Sequence, residues 1–233
     1  MTAIGRDKPA RALYDARRDV HYAKPVWRGW LHLLWFGASL IACPLLVARA
    51  HGAWPRIALA VYSFSVIGLF GVSALYHRGR WMPAWNRRLQ RLDHLMIFLL
   101  IAGTATPVFL IAARGAFGLT CLIVMWMLTF AAAGLHLAWM HAPELLVGTT
   151  FVSLGSLAGV ALPAVWMHAG VVPGALIVAG GLLYIAGALS YHRRWPDPCP
   201  AVFGYHEVFH AFVCAAAACQ YLAIALLIGQ AGN

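Results

Sequence analysis

The chain has 233 residues, of which 62% are hydrophobic and only 10% are charged, and its mean hydropathy is +0.75. This balance excludes a soluble domain and is typical of a protein that crosses the membrane several times. The formal net charge of +10 is no sign of nucleic-acid binding here, because the positive residues gather before the first apolar stretch and in a few loops.

Seven apolar stretches are long enough for membrane spans, since a helix needs about 20 apolar residues to cross the hydrocarbon core. They lie at residues 29–49, 57–76, 93–113, 117–139, 144–166, 172–191 and 205–228. The sequence therefore predicts an all-α membrane protein, a seven-transmembrane helix bundle. We assign residues 29–233 to this single domain and residues 1–28 to a basic leader with little order. Short connections predict that consecutive helices are antiparallel neighbours.

The basic residues predict the orientation of the bundle. Seven Lys and Arg precede the first span, and five more lie between the second and third spans. A cytoplasmic N-terminus places fourteen positive charges inside and three outside, as the positive-inside rule requires. We therefore expect a multi-pass protein of the inner (plasma) membrane with its C-terminus outside. The Arg- and Trp-rich connection at residues 78–91 is expected to lie along the anionic inner leaflet.

Proline and glycine positions predict how some spans are shaped. Pro107 and Pro163 fall inside apolar stretches and are expected to kink their helices. Gly155 and Gly159 form a GxxxG motif that allows close helix packing, although this motif is common in apolar segments. No oligomeric state follows from it.

Three polar clusters interrupt the spans near their ends. Ser73-Ala-Leu-Tyr-His77 closes the second span, Asp93-His94 opens the third, and Tyr205-His206-Glu207-Val208-Phe209-His210 opens the seventh. With a cytoplasmic N-terminus, all three ends lie on the cytoplasmic side. The clusters are therefore expected to meet at one depth, where polar groups are costly and usually functional.

Three histidines of these clusters make a candidate metal site. His206 and His210 are four residues apart and share one helix face, and His77 adds a third nitrogen ligand. Three protein ligands and one open position are the arrangement of a catalytic zinc site, where zinc lowers the pKa of water to about 7. The cofactor predicted is Zn²⁺, although nitrogen ligands also suit other transition metals.

Asp93 and Ser73 are the candidate catalytic residues beside the metal ligands. Asp93 is suited to act as a base or to position water, and Ser73 to hydrogen-bond water or a developing oxyanion. Asp93 has the alternatives of pairing with a neighbouring arginine or of stabilising a helix N-terminus. Ser73 has the alternative of bonding a carbonyl of the preceding turn.

Other polar residues near the clusters have weaker claims. Glu207 lies about 100° round the helix from His206, so we expect it to stabilise the helix start and not to bind metal. Cys214 lies one turn beyond His210 and is an alternative fourth ligand that would close the site. His94, His136 and His192 are expected to be interfacial residues near the mouth of the site.

The cluster motifs, with Phe203-Gly204 preceding the last one, resemble the hemolysin III family. That family belongs to the progestin and adipoQ receptor superfamily, which includes the adiponectin receptors. The stretch Lys24-Pro25-Val26-Trp27-Arg28-Gly29 also looks like the family's approach to the first span. The resemblance covers residues 24 to about 228 and implies a seven-helix bundle with zinc near the cytoplasmic face.

The same resemblance implies roles for individual residues. The superfamily's three metal-binding histidines correspond to His77, His206 and His210, and its accompanying acid and hydroxyl to Asp93 and Ser73. Related alkaline ceramidases imply hydrolysis of a lipid amide. The family name implies that some members lyse red cells, in one interpretation by forming pores.

Three functions are consistent with these patterns. The first is a zinc-dependent membrane hydrolase of a lipid amide or ester, with membrane lipids as partners and substrate. The second is a pore-forming cytolysin, and the third is a receptor-like sensor of membrane state with structural zinc. A microbial rhodopsin is excluded because the chain's only lysines, Lys8 and Lys24, precede the first span.

Overall fold

The computed structural model describes residues 13–15, 20–22, 24–139 and 142–231. Within them, seven helical spans are long and apolar enough to cross a membrane. The spans are Trp30–Ala48, Ala53–Arg78, Pro83–Ala113, Gly115–Ala138, Glu144–Ala169, Val171–Arg193 and Tyr205–Gly229. The predicted seven-helix membrane bundle is confirmed.

Eight α-helices build these spans. They are α1 (Trp30–Ala48), α2 (Ala53–Arg78), α3 (Pro83–Pro107), α4 (Gly115–Ala138), α5 (Glu144–Leu157), α6 (Leu162–Ala169), α7 (Val171–Arg193) and α8 (Tyr205–Ala231). A π-helical segment, Val108–Ala113, completes the third span, and a 3₁₀ turn, Ala158–Ala161, joins α5 to α6 in the fifth. Pro107 ends α3 and Pro163 lies at the start of α6, so both prolines stand where the regular α-helix changes, and the predicted kinks stay a prediction.

Two short strands precede the helices and were not predicted. β1 (Leu13–Asp15) pairs antiparallel with β2 (Val20–Tyr22), with Leu13 opposite Tyr22. The remainder of the predicted leader up to residue 23 lies outside the described residues. Residues 24–29 pack on the bundle: the backbone N–H groups of Val26 and Trp27 donate to the carbonyls of Ala201 and Val202.

The start of the third span differs from the prediction. Helix α3 begins at Pro83, ten residues before the expected start at 93, and only residues 79–82 connect it to α2. The prediction of a connection over 78–91 is therefore wrong. Hydropathy marks only the apolar part of a helix, whereas proline favours the first helical turn and arginine is a good helix former. The exposed residues Arg87, Arg88 and Arg91 thus lie on the first turns of α3.

Three spans form the centre of the bundle. In an apolar stretch of 18 residues within the second, third and seventh spans, 56%, 67% and 50% of the residues are buried, against 11–22% in the corresponding stretches of the other four. Their core includes Tyr62 and Phe70 of α2, Met96 and Leu100 of α3, and Ile224 of α8. Consecutive spans are in contact around the bundle, and α1 also contacts α8. The start of α1, the end of α2 and the start of α8 lie together at one end of the bundle.

The GxxxG motif of α5 and the following turn makes no close contact. A Cβ atom added at Gly155 would meet nothing within 4 Å, and one at Gly159 only the Leu162 side chain at 3.8 Å. This face of the fifth span is therefore not used for helix packing within the described part of the chain.

Candidate metal centre

Two carboxylates stabilise the N-terminus of α8, the helix that carries the predicted ligands His206 and His210. The Gly204 N–H donates to Glu207 Oε2 and the Tyr205 N–H donates to Asp197 Oδ1, each at 2.9 Å. Both bonds satisfy N–H groups at a helix start, and negative charge is favourable there. Glu207 therefore stabilises the start of α8, as expected, and fixes the turn that presents His206.

A buried ion pair links this helix start to the chain before α1. Glu207 Oε1 accepts a hydrogen bond from Arg28 Nε, and the two side chains are 1% and 9% exposed. The partners are 179 residues apart in sequence. Sequence reasoning counted Arg28 only as one positive charge of the leader. The single available signal was its place in the family-like stretch before the first span.

Gly29 brings this stretch against the end of α2. Its φ of 80° lies in the left-handed region, and an added Cβ would lie 2.8 Å from His77 Cβ. Both facts require glycine, because a side chain would be strained and would displace His77. The chain before α1 thus packs directly on a predicted metal ligand.

The three predicted ligands come together at one end of the bundle. His77 lies in the last turn of α2, and His206 and His210 lie on successive turns of α8. Their ligand atoms all lie within 4.8 Å of one another. His77 Nε2 and His206 Nε2 are 3.3 Å apart, close to the roughly 3.4 Å between two nitrogens that bind one tetrahedral zinc at about 2.05 Å. This buried histidine triad could hold a metal ion.

The predicted acid and hydroxyl lie beside the triad. Asp93 Oδ2 is 3.8 Å from His77 Nε2, and the Asp93 side chain is only 14% exposed. The buried Ser73 hydroxyl lies close enough to the Asp93 carboxylate to interact with it. Among the described residues, Asp93 approaches His77 and makes no ion pair with a neighbouring arginine. The two candidate catalytic residues are therefore connected to each other and to one ligand.

Two other candidates are not part of the triad. Cys214 is buried deeper along α8 and does not belong to the one group of potential metal ligands found among the described residues. His94 contacts His136 of α4 instead, with Nδ1 and Nε2 3.1 Å apart. The described geometry therefore gives three ligands and no thiolate.

A fourth histidine, which sequence reasoning missed, lies against the triad. His32, the third residue of α1, is 3% exposed and stacks on His210, with ring centroids 3.8 Å apart and planes inclined by 11°. The edge of its ring also meets Phe70. A single histidine in an apolar span gives little signal in one sequence, and its contact with α8 depends on the packing of the whole bundle.

Cations surround the outer side of the centre. Partial burial lowers the pKa of Lys24, and the nearby Arg28, Arg78 and Arg80 lower it further. The Arg78 guanidinium lies over the Trp30 ring, 3.7 Å from its centroid, an arrangement that favours the charged group at an interface. This end of the bundle is therefore strongly positive where it meets the surroundings.

The model of the family described as haemolysin-III related matches residues 20–221. The chain belongs to this family. It is 30% identical over 194 residues to Hemolysin-3 of Bacillus cereus, an alignment that covers 80% of this chain and 84% of that protein. It is 24% identical over 187 residues to the Hemolysin-3 homolog of Bacillus subtilis (strain 168), with the same coverage. The resemblance drawn from the motifs is confirmed, and the family belongs to the progestin and adipoQ receptor-like superfamily.

Proposed function

We propose that this hemolysin III protein is a zinc-dependent membrane hydrolase that cleaves a lipid amide or ester. The observation that supports this function best is the buried histidine triad with Asp93 Oδ2 3.8 Å from one of its nitrogens. A purely structural zinc site commonly has four protein ligands, whereas three ligands leave a position for a reacting oxygen.

The triad fits zinc by ligand type, number and spacing. Imidazole nitrogen suits zinc, and the 3.3 Å separation of the His77 and His206 nitrogens needs little adjustment. When bound there, zinc would polarise a carbonyl oxygen and activate water for attack. His77, His206 and His210 are the residues that would hold it.

The neighbouring side chains supply the proton transfers and the shape of the site. Asp93 accepts a proton from the attacking water and returns it to the leaving nitrogen or oxygen. Ser73 holds the Asp93 carboxylate in place through its hydroxyl. The Arg28–Glu207 pair carries no net charge in this arrangement and anchors the helix turn with His206. All these groups lie at one end of the bundle, and we expect this end to reach the depth at which lipid amide and ester bonds lie.

We infer that this end faces the cytoplasm, in the plasma membrane, from the distribution of Lys and Arg. Cys199, in the exposed connection between α7 and α8, lies at the same end as the triad and tests the orientation. A variant that keeps Cys199 as its single cysteine is expected to resist a membrane-impermeant maleimide in intact cells and to react after lysis. Labelling in intact cells would show that this end of the bundle faces the outside.

Metal content of detergent-purified protein tests the function first. We expect about one zinc per chain, lost in His77→Ala and His206→Ala and kept in His168→Ala, which replaces an exposed histidine of α6. Zinc retained in both triad variants, or absent from folded wild type, would overturn the zinc mechanism.

Turnover tests the reaction class. Zinc-loaded wild type is expected to hydrolyse a lipid amide or ester in mixed micelles. Asp93→Asn should keep its zinc and lose at least 100-fold in rate, the usual contribution of general acid–base catalysis of about 10²–10⁴. Equal rates for wild type and Asp93→Asn would show that Asp93 is not the base.

A pore-forming cytolysin is the second candidate, because two relatives carry the name Hemolysin-3 or its homolog. Release of a trapped dye from liposomes, unchanged in His206→Ala, would favour the pore over the hydrolase. No release at any protein density would exclude it.

A further inference from the structure

His32 presents an unpaired polar group beside the triad. The residue is 3% exposed, and neither Nδ1 nor Nε2 has a hydrogen-bond partner among the described residues. Each buried polar atom without a partner lowers the stability of a folded protein. An imidazole that only filled space here would therefore be a poor choice.

The contacts of the ring do not require nitrogen. The flat face packs on His210 and the edge meets Phe70 at a centroid distance of 5.0 Å and an angle of 88°. A phenyl ring would make the same stacked and edge contacts without burying two polar atoms. The nitrogens of His32 thus have no role in packing, and a binding role explains them.

The stacking also places the His32 ring against one predicted ligand, His210. The two ring centroids are 3.8 Å apart and the ring planes are inclined by 11°, so the nitrogens of His32 lie beside the His210 ring. The ligand atom of His210 in turn lies within 4.8 Å of those of His77 and His206. An acyl group taken up beside the triad therefore comes within reach of the His32 ring.

Other polar groups of the centre are already engaged. Arg28 donates to Glu207, and Ser73 interacts with Asp93. A neutral imidazole offers one N–H donor and one acceptor nitrogen. His32 thus adds a donor that no described protein group uses.

We propose that His32 is a substrate-binding residue of this centre, whose ring N–H donates a hydrogen bond to the oxygen of an acyl group bound beside His210. The ligand class is an acyl compound with a carbonyl or carboxylate oxygen, carried on an apolar chain. This inference rests on the proposed metal-dependent function and adds the residue that orients the acyl oxygen.

Binding of octanohydroxamic acid to purified, zinc-loaded protein tests the proposal. This probe has an apolar chain, a carbonyl oxygen and a group that binds zinc. His32→Phe keeps the stacked ring and removes only the nitrogens. We expect it to keep its zinc, to unfold at the same temperature or a higher one, and to bind the probe about tenfold more weakly, the effect of one hydrogen bond of about 1.4 kcal/mol.

His136→Phe is the matched control, because His136 is also buried, at 7% exposure, and its Nδ1 also lacks a partner among the described residues. It should bind the probe like wild type. His32→Asn and His32→Gln retain an N–H donor, and at least one should bind within threefold of wild type, even if His32→Phe fails to fold.

The possible failures are distinct. Zinc-loaded His32→Phe that binds the probe as tightly as wild type would overturn the role of His32 and leave the proposed hydrolase intact. Loss of zinc from His32→Phe would also overturn it, since His32 would then act on the metal site. Folded wild type without zinc would overturn the proposed function itself.

Discussion

The three inner spans (the second, third and seventh) and the four outer spans are similarly apolar but differ in how far other helices bury them. In its apolar stretch of 18 residues, the third span has 67% of the residues buried by protein, whereas the fifth has 11%. All of the predicted site residues lie on the inner spans: Ser73 and His77 on α2, Asp93 on α3, and His206 and His210 on α8. Polar groups at membrane depth need protein partners, because lipid offers none. The comparison teaches that the candidate site residues lie where a span is surrounded by other helices, and that the hydropathy of a span does not indicate this position.

The largest expected effect comes from breaking the buried ion pair of the inner region. Glu207→Ala leaves Arg28 buried without its partner and should lower the free energy of unfolding by about 3–5 kcal/mol. Glu144→Ala is the outer counterpart: this half-exposed carboxylate lies 3.9 Å from Arg194, and its removal should cost no more than about 1 kcal/mol. Unfolding in detergent by a chemical denaturant measures both. Similar losses of unfolding free energy in the two variants would show that ion pairs of the inner and outer spans contribute equally to stability.

A pair of phenylalanines tests packing alone. Phe70→Ala removes a fully buried ring of α2 that contacts His32 and Trp35, and should cost about 3 kcal/mol through the cavity it leaves. Phe130 of α4 is 61% exposed to the surroundings of the bundle, so Phe130→Ala should change stability by about 0.5 kcal/mol or less. Thermal unfolding of the two variants makes the comparison. A cost at Phe130 equal to that at Phe70 would mean that the outer face is covered by protein.

The smallest effect is expected from glycines. A Cβ at Gly103 of α3 would lie 2.2 Å from Ser65 Oγ, so Gly103→Ala should destabilise by about 1–3 kcal/mol through overpacking. Gly155→Ala in α5 meets nothing within 4 Å and should be neutral or stabilising by up to about 1 kcal/mol, since alanine favours helix. The same unfolding measurements decide it. Destabilisation by Gly155→Ala would indicate a partner on the GxxxG face.

The agreement between sequence and structure is closest where the information is local or periodic. The spacing of His206 and His210 predicts a shared helix face, and the structure places them on successive turns. The exposed start of α3 was missed because Arg87, Arg88 and Arg91 are polar, and a hydropathy window treats such residues as the end of a span. The helix-forming tendency of these arginines, with proline at the first turn, would have predicted the earlier start of α3.

By itself, the sequence determined the membrane class, the number of spans, the family and the three histidines that meet at one end. These follow from hydropathy, from spacing along single helices and from motifs, all of which are properties of short segments. Only the tertiary structure decided that Glu207 binds Arg28 across 179 residues and that His32 stacks on His210. Both contacts depend on how α1 packs against α8, and no pattern within either helix specifies that packing.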